Sequence, residues 1–160
     1  MRVALFQPDI AQNVGAVMRL CACFRVALDI IEPCGFPLTA KALRRTAMDY
    51  AAHCELRQRP SWDAYVQHAD QAGGRLILFT TQGATALWRF QFAPDDHLVF
   101  GRESAGAPDF VHARADARVV IPIAPEARAM NLATAAAVAL AEATRQLAPD
   151  WSDAPAPATK

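Results

Sequence analysis

The sequence predicts a single α/β domain in which helices flank a mostly parallel sheet. Three observations carry that expectation. Five short apolar runs recur along the chain and are nearly continuous rather than alternating, as expected of strands covered on both faces. Helical patterns fall between several of these runs, and strands separated by helices favour parallel pairing. The chain has 160 residues, 53% of them apolar and 20% charged, which suits one continuous core and is short for two.

Taken in order, the first run is VALF (3–6), and the stretch NVGAVMRLCACF that follows reads as a helix. Asn13 is a plausible cap there, and Val14, Val17, Met18 and Cys21 fall on one stripe. LDII (28–31) is the second strand, and TAKALRRTAMDYAA and SWDAYVQHA are two further helices, the latter capped by Ser61. LILF (76–79), LVF (98–100) and VVIPI (119–123) complete the strands. A long Ala-rich helix over about 129–147 closes the domain, so that the order is β-α-β-α-α-β-(α)-β-(α)-β-α. The domain is expected to span 1–148, and 149–160, with its Pro/Ala/Asp bias, to form a disordered tail.

Composition narrows the function classes. No window approaches the roughly 18 uninterrupted apolar residues of a membrane span, and the start lacks the apolar core and cleavage site of a signal peptide, so a cytoplasmic setting is expected. Net charge is zero, yet residues 1–60 carry eight Lys/Arg against five acids and the remainder eight against eleven. Cys21 and Cys23 are two apart on a helix, where side chains point about 200° apart, so they cannot share a metal and read as small buried apolar residues. There is no G-x-G-x-x-G after the first strand and no G-x-x-x-x-G-K-[ST], and the four histidines show no metal-ligand spacing. Ser104 lies in a G-x-E-S-x-G stretch with no base supplied, a weak match to a hydrolase elbow.

In open α/β sheets ligands bind beyond the carboxyl ends of strands. The turns there read QPDIAQNVG, EPCGF, TTQGA, GRESAG and APEARAMN, and together they make a candidate crevice. Gly15 and Arg19 are spaced i, i+4 on a face roughly opposite the apolar stripe, so the Arg19 side chain leans over the gap that Gly15 leaves. In GRESAG, Gly101 allows either positive φ or close approach of a ligand to the backbone, Glu103 can bond backbone N–H groups or Arg102, and Gly106 closes the turn. Asn131 sits in the first turn of the last helix, after a loop frozen by two prolines.

NVGAVMR, LVFGRESAG and IPIAPEARAMNLATAAAVALAEA, in this order and near these spacings, resemble the three motifs of the SpoU-type branch of the SPOUT methyltransferases. The flanking ALFQPDIAQNVGAVMRLCA, IIEPCGF, LRRTAMDY and TTQGA bring the likeness closest to the TrmL-type tRNA (cytidine/uridine-34-2'-O)-methyltransferases, over about residues 3–147. The resemblance implies an α/β fold with a C-terminal trefoil knot, a homodimer whose active site uses both chains, tRNA as substrate, and S-adenosylmethionine as methyl donor, leaving S-adenosylhomocysteine, with no metal. It also implies a cofactor pocket lined by Phe79, Gly101, Ile121, Ala129 and Met130, with Glu103 ordering its loop. Arg19 matches the first-motif arginine that acts on the ribose 2'-hydroxyl or the neighbouring phosphate, and Asn131 the asparagine of the third motif, so that Arg19 and Asn131 are expected to be the catalytic residues. Departures fall at Ala129, where relatives often carry Ser, and at Ala141, where they carry Tyr.

The reaction implied is an in-line transfer to a 2'-hydroxyl that is too weak an acid to ionise at neutral pH. Arginine holds its proton far above neutral pH and is a poor base, so Arg19 is expected to orient and stabilise charge, with substrate phosphate or a neutral arginine left open as proton acceptor. Arg44 and Arg45, in the basic segment, are expected to contact the tRNA backbone. Competing readings are a SPOUT-fold RNA-binding protein that has lost catalysis, a methyltransferase of another RNA site, and a flavodoxin-like nucleotide-binding module.

Overall fold

Strands β1 (Arg2–Phe6), β2 (Ala27–Ile31), β3 (Leu56–Arg59), β4 (Leu76–Phe79), β5 (Thr85–Ala86), β6 (His97–Phe100) and β7 (Ala117–Val120) form one sheet, in the order β3-β2-β1-β6-β4-β7-β5. Every pairing is parallel. The computed structural model describes residues 1–39, 50, 53–82 and 85–147. The helix expected from TAKALRRTAMDYAA, with Arg44 and Arg45, falls almost wholly outside the described residues, as does the expected tail over 149–160.

Successive side chains of a strand point to opposite faces, and here both faces are covered. Val3, Leu5, Leu28 and Ile30 pack under helices α1 (Ala11–Phe24) and α4 (Leu132–Leu147), meeting Val14, Val17, Met18, Ala136 and Leu140. Ala4, Phe6, Ile31, Leu78 and Val99 pack on the other side under α2 (Trp62–Ala72) and α3 (Asp109–Arg114), against Trp62, Tyr65, Ala69 and Val111. Two-sided burial is why the apolar runs are continuous. Ala136, Ala139 and Ala143 of α4 are fully buried, so the small residues of that helix serve close packing against its own sheet and α1.

Boundaries differ from the sequence expectation in ways that have physical causes. Helix α1 starts at Ala11 behind Ile10, which makes no side-chain cap, so Asn13 is not the cap and its amide is free to bond elsewhere. Helix α4 starts at Leu132 rather than 129, because Asn131 Oδ1 accepts from the N–H groups of Ala133 (2.9 Å) and Thr134 (3.3 Å) and caps it. The last long strand ends at Val120, before Pro122. Ser61 caps α2 as expected, accepting from Ala64 N–H at 3.1 Å. Strands β3 and β5 had no apolar signal: β3, LRQR, is an edge strand held by its ladder to β2 and by Arg59, and β5 has two residues and leads into a 3₁₀ turn, Leu87–Arg89, where a helix was expected. Gly15 is buried, so it does not share an open face with Arg19, which is half-buried. Cys21 is buried as expected, but Cys23 is exposed rather than buried, because a two-residue step on α1 turns it away from the core.

Beneath α2 lies a polar cluster. Asp29 has no exposed surface and accepts from Arg2 Nε (2.7 Å) on one oxygen and Arg59 Nε (2.6 Å) on the other, joining the first three strands. Tyr65 Oη and His97 Nδ1, both buried, are 2.9 Å apart. Burial pushes the Tyr65 phenol up and the His97 imidazole down, so both stay neutral.

A histidine held below its ordinary value takes up a proton in the unfolded chain before it does so in the fold, so its contribution to stability is complete above about pH 6.5 and is lost as pH falls below it. Denaturant midpoints measured from pH 8 to pH 5 are expected to fall below about pH 6.5, at up to about 1.4 kcal/mol per pH unit from this residue. His97→Gln is expected to flatten that part of the profile.

Candidate functional site

Strand β1 is flanked by β2, its successor through α1, and by β6, so the loops leaving β1 and β6 diverge to opposite sides at a switch in strand order. The crevice opened there is one wall of a cavity of about 450 Å³ that extends over the ends of β6, β4 and β7 to the loop before α4. Phe79, Phe100, Val119, Ile121 and Leu132 make its apolar wall, and the turns after β4 and β6 and the loop before α4 supply its polar parts. Phe79 and Phe100, paired across β4 and β6, stack with ring centroids 4.8 Å apart. Ile10 and Met130, both well exposed for apolar residues, border it.

The turn after β6 closes on itself. Arg102 N–H donates to Gly106 O (2.9 Å) and Gly106 N–H to Arg102 O (2.8 Å), with Gly106 in the left-handed region at φ 68°. A Cβ on Gly101 would stand 2.4 Å from Gly106 C and 2.4 Å from Ala107 N. Gly101 does not have positive φ, and what approaches it this closely is the returning strand of its own turn.

The polar groups of the three motif segments are joined. Glu103 accepts from the Asp9 N–H at 2.7 Å on one oxygen and from Asn13 Nδ2 at 2.9 Å on the other. Asn13 Oδ1 in turn accepts from Asn131 Nδ2 at 3.0 Å. These bonds fix both amide orientations, because each oxygen faces donors and each nitrogen an acceptor. Asp9 completes the junction: one carboxylate oxygen takes Arg102 Nη2 (2.7 Å), the other Ser104 Oγ (2.6 Å) and Ser104 N–H (3.1 Å). The bond from Arg102, then those from Ser104, hold the Asp9 carboxyl down at about 2.

Of the residues expected to hold the cofactor, Phe79, Gly101, Glu103, Ile121, Ala129 and Met130 all line the cavity, as does Asn131. Arg19 lies on α1 and is not on that wall; it makes no hydrogen bond or ion pair with another described residue. Arg44 and Arg45 lie outside the described residues. Sequence reasoning missed Asn13 and Asp9. The signal available was the polar Asp9 and Asn13 around the start of a helix whose cap is apolar, which leaves both side chains without a local role. Among the described residues no group of three His, Cys, Asp or Glu is placed to hold a metal.

Comparison with known proteins identifies the pattern. Residues 1–141 match the family model described as SpoU rRNA Methylase family. A protein from Beijerinckia indica named tRNA (cytidine(34)-2'-O)-methyltransferase is 49% identical over 145 residues, 91% of each chain. One of the same name from Ancylobacter novellus is 45% identical, over 91% of this chain and 92% of its own. A solved structure described as giving structural insights into the 2-OH methylation of C/U34 on tRNA superposes with a TM-score of 0.87 at 38% identity, over 92% of this chain and 96% of that one.

The close return at Gly101 makes a direct prediction. Gly101→Ala should lower unfolding stability by about 1–3 kcal/mol, the usual cost of overpacking, because the atoms it meets are backbone and cannot swing aside. Gly106→Ala meets nothing within 4 Å and is strained only by its positive φ, so its cost in the same chemical-denaturation measurement should be smaller, about 1 kcal/mol.

Proposed function

The chain belongs to the SpoU rRNA methylase family, and from that membership we propose that it is a tRNA 2'-O-methyltransferase acting on the ribose of the wobble nucleotide, cytidine or uridine 34, with S-adenosylmethionine as methyl donor. The observation that carries this reading is the joining of the three motif segments at one cavity in a chain whose relatives, 45–49% identical over nine-tenths of its length, bear the name tRNA (cytidine(34)-2'-O)-methyltransferase.

The cavity fits the donor. Its volume of about 450 Å³ is in the range of cofactor sites, and it offers an apolar wall for an adenine ring with a limited set of polar groups in its turns. Phe79, Gly101, Ile121, Ala129 and Met130 would hold it, and Ala129 can do so through its backbone, so the missing serine hydroxyl does not remove the pocket. When bound, S-adenosylmethionine supplies a methyl group activated on a sulfonium. Glu103 and Asn13 act on geometry: they lock the loop after β1 and the start of α4 to the turn after β6, so the cavity is formed before ligand arrives. Asn131 spends its oxygen on the α4 cap and its nitrogen on Asn13, which makes it a positioning residue.

Arg19 is the group assigned to the substrate: its guanidinium orients the ribose 2'-hydroxyl or the adjoining phosphate and offsets developing negative charge. Its place off the wall of its own chain's cavity supports a homodimer in which each active site takes Arg19 from the partner subunit. Threading of the C-terminal segment as a trefoil knot, tRNA backbone contacts from Arg44 and Arg45, and a cytoplasmic location belong to the same proposal.

Transfer of label from S-adenosylmethionine to unmodified tRNA transcripts, with the modified nucleotide mapped, tests the reading. Label is expected on the ribose of nucleotide 34, and Arg19→Ala should lower the rate roughly 10²–10³-fold, the cost of losing one transition-state donor, with cofactor affinity kept. Cofactor binding without transfer to any tRNA would favour the RNA-binding protein without catalysis, and label at another nucleotide a different RNA site.

A further inference from the structure

Arg102 is the one Lys or Arg among the described residues lining the cavity. Its guanidinium, with five N–H donors, places only Nη2 on a protein acceptor, Asp9 Oδ1. Nε is buried with no partner, and the side chain is nonetheless 38% exposed. Among the described residues, the other two buried guanidinium nitrogens without a hydrogen-bond partner, Arg2 Nη2 and Arg59 Nη2, belong to the Asp29 cluster and do not line the cavity. At the cavity, then, a permanent cation is steadied from one side by Asp9, under-satisfied within the fold, and open on the other side.

With zero net charge over the whole chain, a polyanion is held by local positive charge, and at this cavity Arg102 supplies it. We infer that Arg102 is an RNA-contacting residue: its open guanidinium edge takes a backbone phosphate of the RNA next to the nucleotide that enters the site, while Asp9 keeps the side chain extended toward it. The inference rests on the RNA-methyltransferase reading above. It gives Arg102 a role separate from that of its neighbour Glu103, whose carboxylate is wholly engaged by Asp9 N–H and Asn13. The planar donor set of arginine suits a phosphate, and with Nε buried and Nη2 bonded once to Asp9 it is the Nη1/Nη2 end that remains for one.

The test is binding of a fluorescently labelled tRNA anticodon stem–loop to the full chain, followed by anisotropy over a series of KCl concentrations, with calorimetric titration of S-adenosylmethionine in parallel. Arg102→Gln and Arg102→Ala should weaken RNA binding roughly tenfold or more and reduce the slope of log K against log salt by about 0.7–0.9, the value of one phosphate contact. Cofactor affinity should fall by much less than RNA affinity. Arg102→Lys should restore the slope, and Asp9→Asn, which loosens the turn but keeps the guanidinium, should leave it as in the parent protein. An unchanged slope in Arg102→Gln, a loss that Asp9→Asn reproduces in full, a parallel fall in cofactor affinity, or no RNA binding by the parent protein would overturn the inference. RNA binding without methyl transfer would instead contradict the proposed function and leave the slope to decide the role of Arg102.

Discussion

Three segments far apart in the chain are tied together through one carboxylate and one amide. Glu103, at the end of β6, accepts a backbone N–H from the loop after β1 and an amide N–H from Asn13 on α1, and Asn13 passes the link to Asn131 before α4. Asn13 is buried, Asp9 and Glu103 are half-buried and Asn131 is exposed, so single bonds here are of modest worth; together they tie the loops after β1 and β6 to the start of α4. The cavity exists because those loops are held, and the same network sets which groups face it.

What lies beneath that network is a sheet with little freedom. Its central strands β1, β6 and β4 are buried throughout or nearly so, and their partnering is parallel, so their carboxyl ends finish together at Phe6, Phe100 and Phe79. The stacked Phe79 and Phe100 rings are both part of the core and part of the cavity wall. At the open end of the β1–β2–β3 side, Asp29 and its two arginines do by ion pairing what apolar packing does elsewhere, holding the polar edge strand β3 to the sheet. Breaking that cluster by removing Asp29 would leave two part-buried guanidinium groups facing each other, the costly way to lose a buried pair.

Much of this was legible in the sequence. Continuous apolar runs gave the buried strands, and the turns after them gave the lining of the cavity, because in a parallel sheet the ligand side is fixed by chain direction. Strands β3 and β5 were not legible, since an edge strand pairs through backbone and needs no apolar side chain. Asn13 was misread as a cap for a physical reason: a polar residue near a helix start serves either its own backbone or a distant carboxylate, and only the fold shows that Glu103 is within reach. Gly101 was read for a ligand and is required by the turn's own return, two demands that a single glycine cannot separate in sequence.

The central claim is that Glu103, Asn13 and Asn131 act as one unit in building the cavity proposed to hold the cofactor. A double-mutant cycle on Glu103→Ala and Asn131→Ala, read as affinity for S-adenosylhomocysteine by calorimetry, tests it most directly, since these two side chains do not bond each other and communicate through Asn13. Either change alone should remove most of the effect, leaving a coupling of about 1 kcal/mol or more between them. Two independent losses that simply add would contradict it, and would mean that the three segments are placed by packing alone.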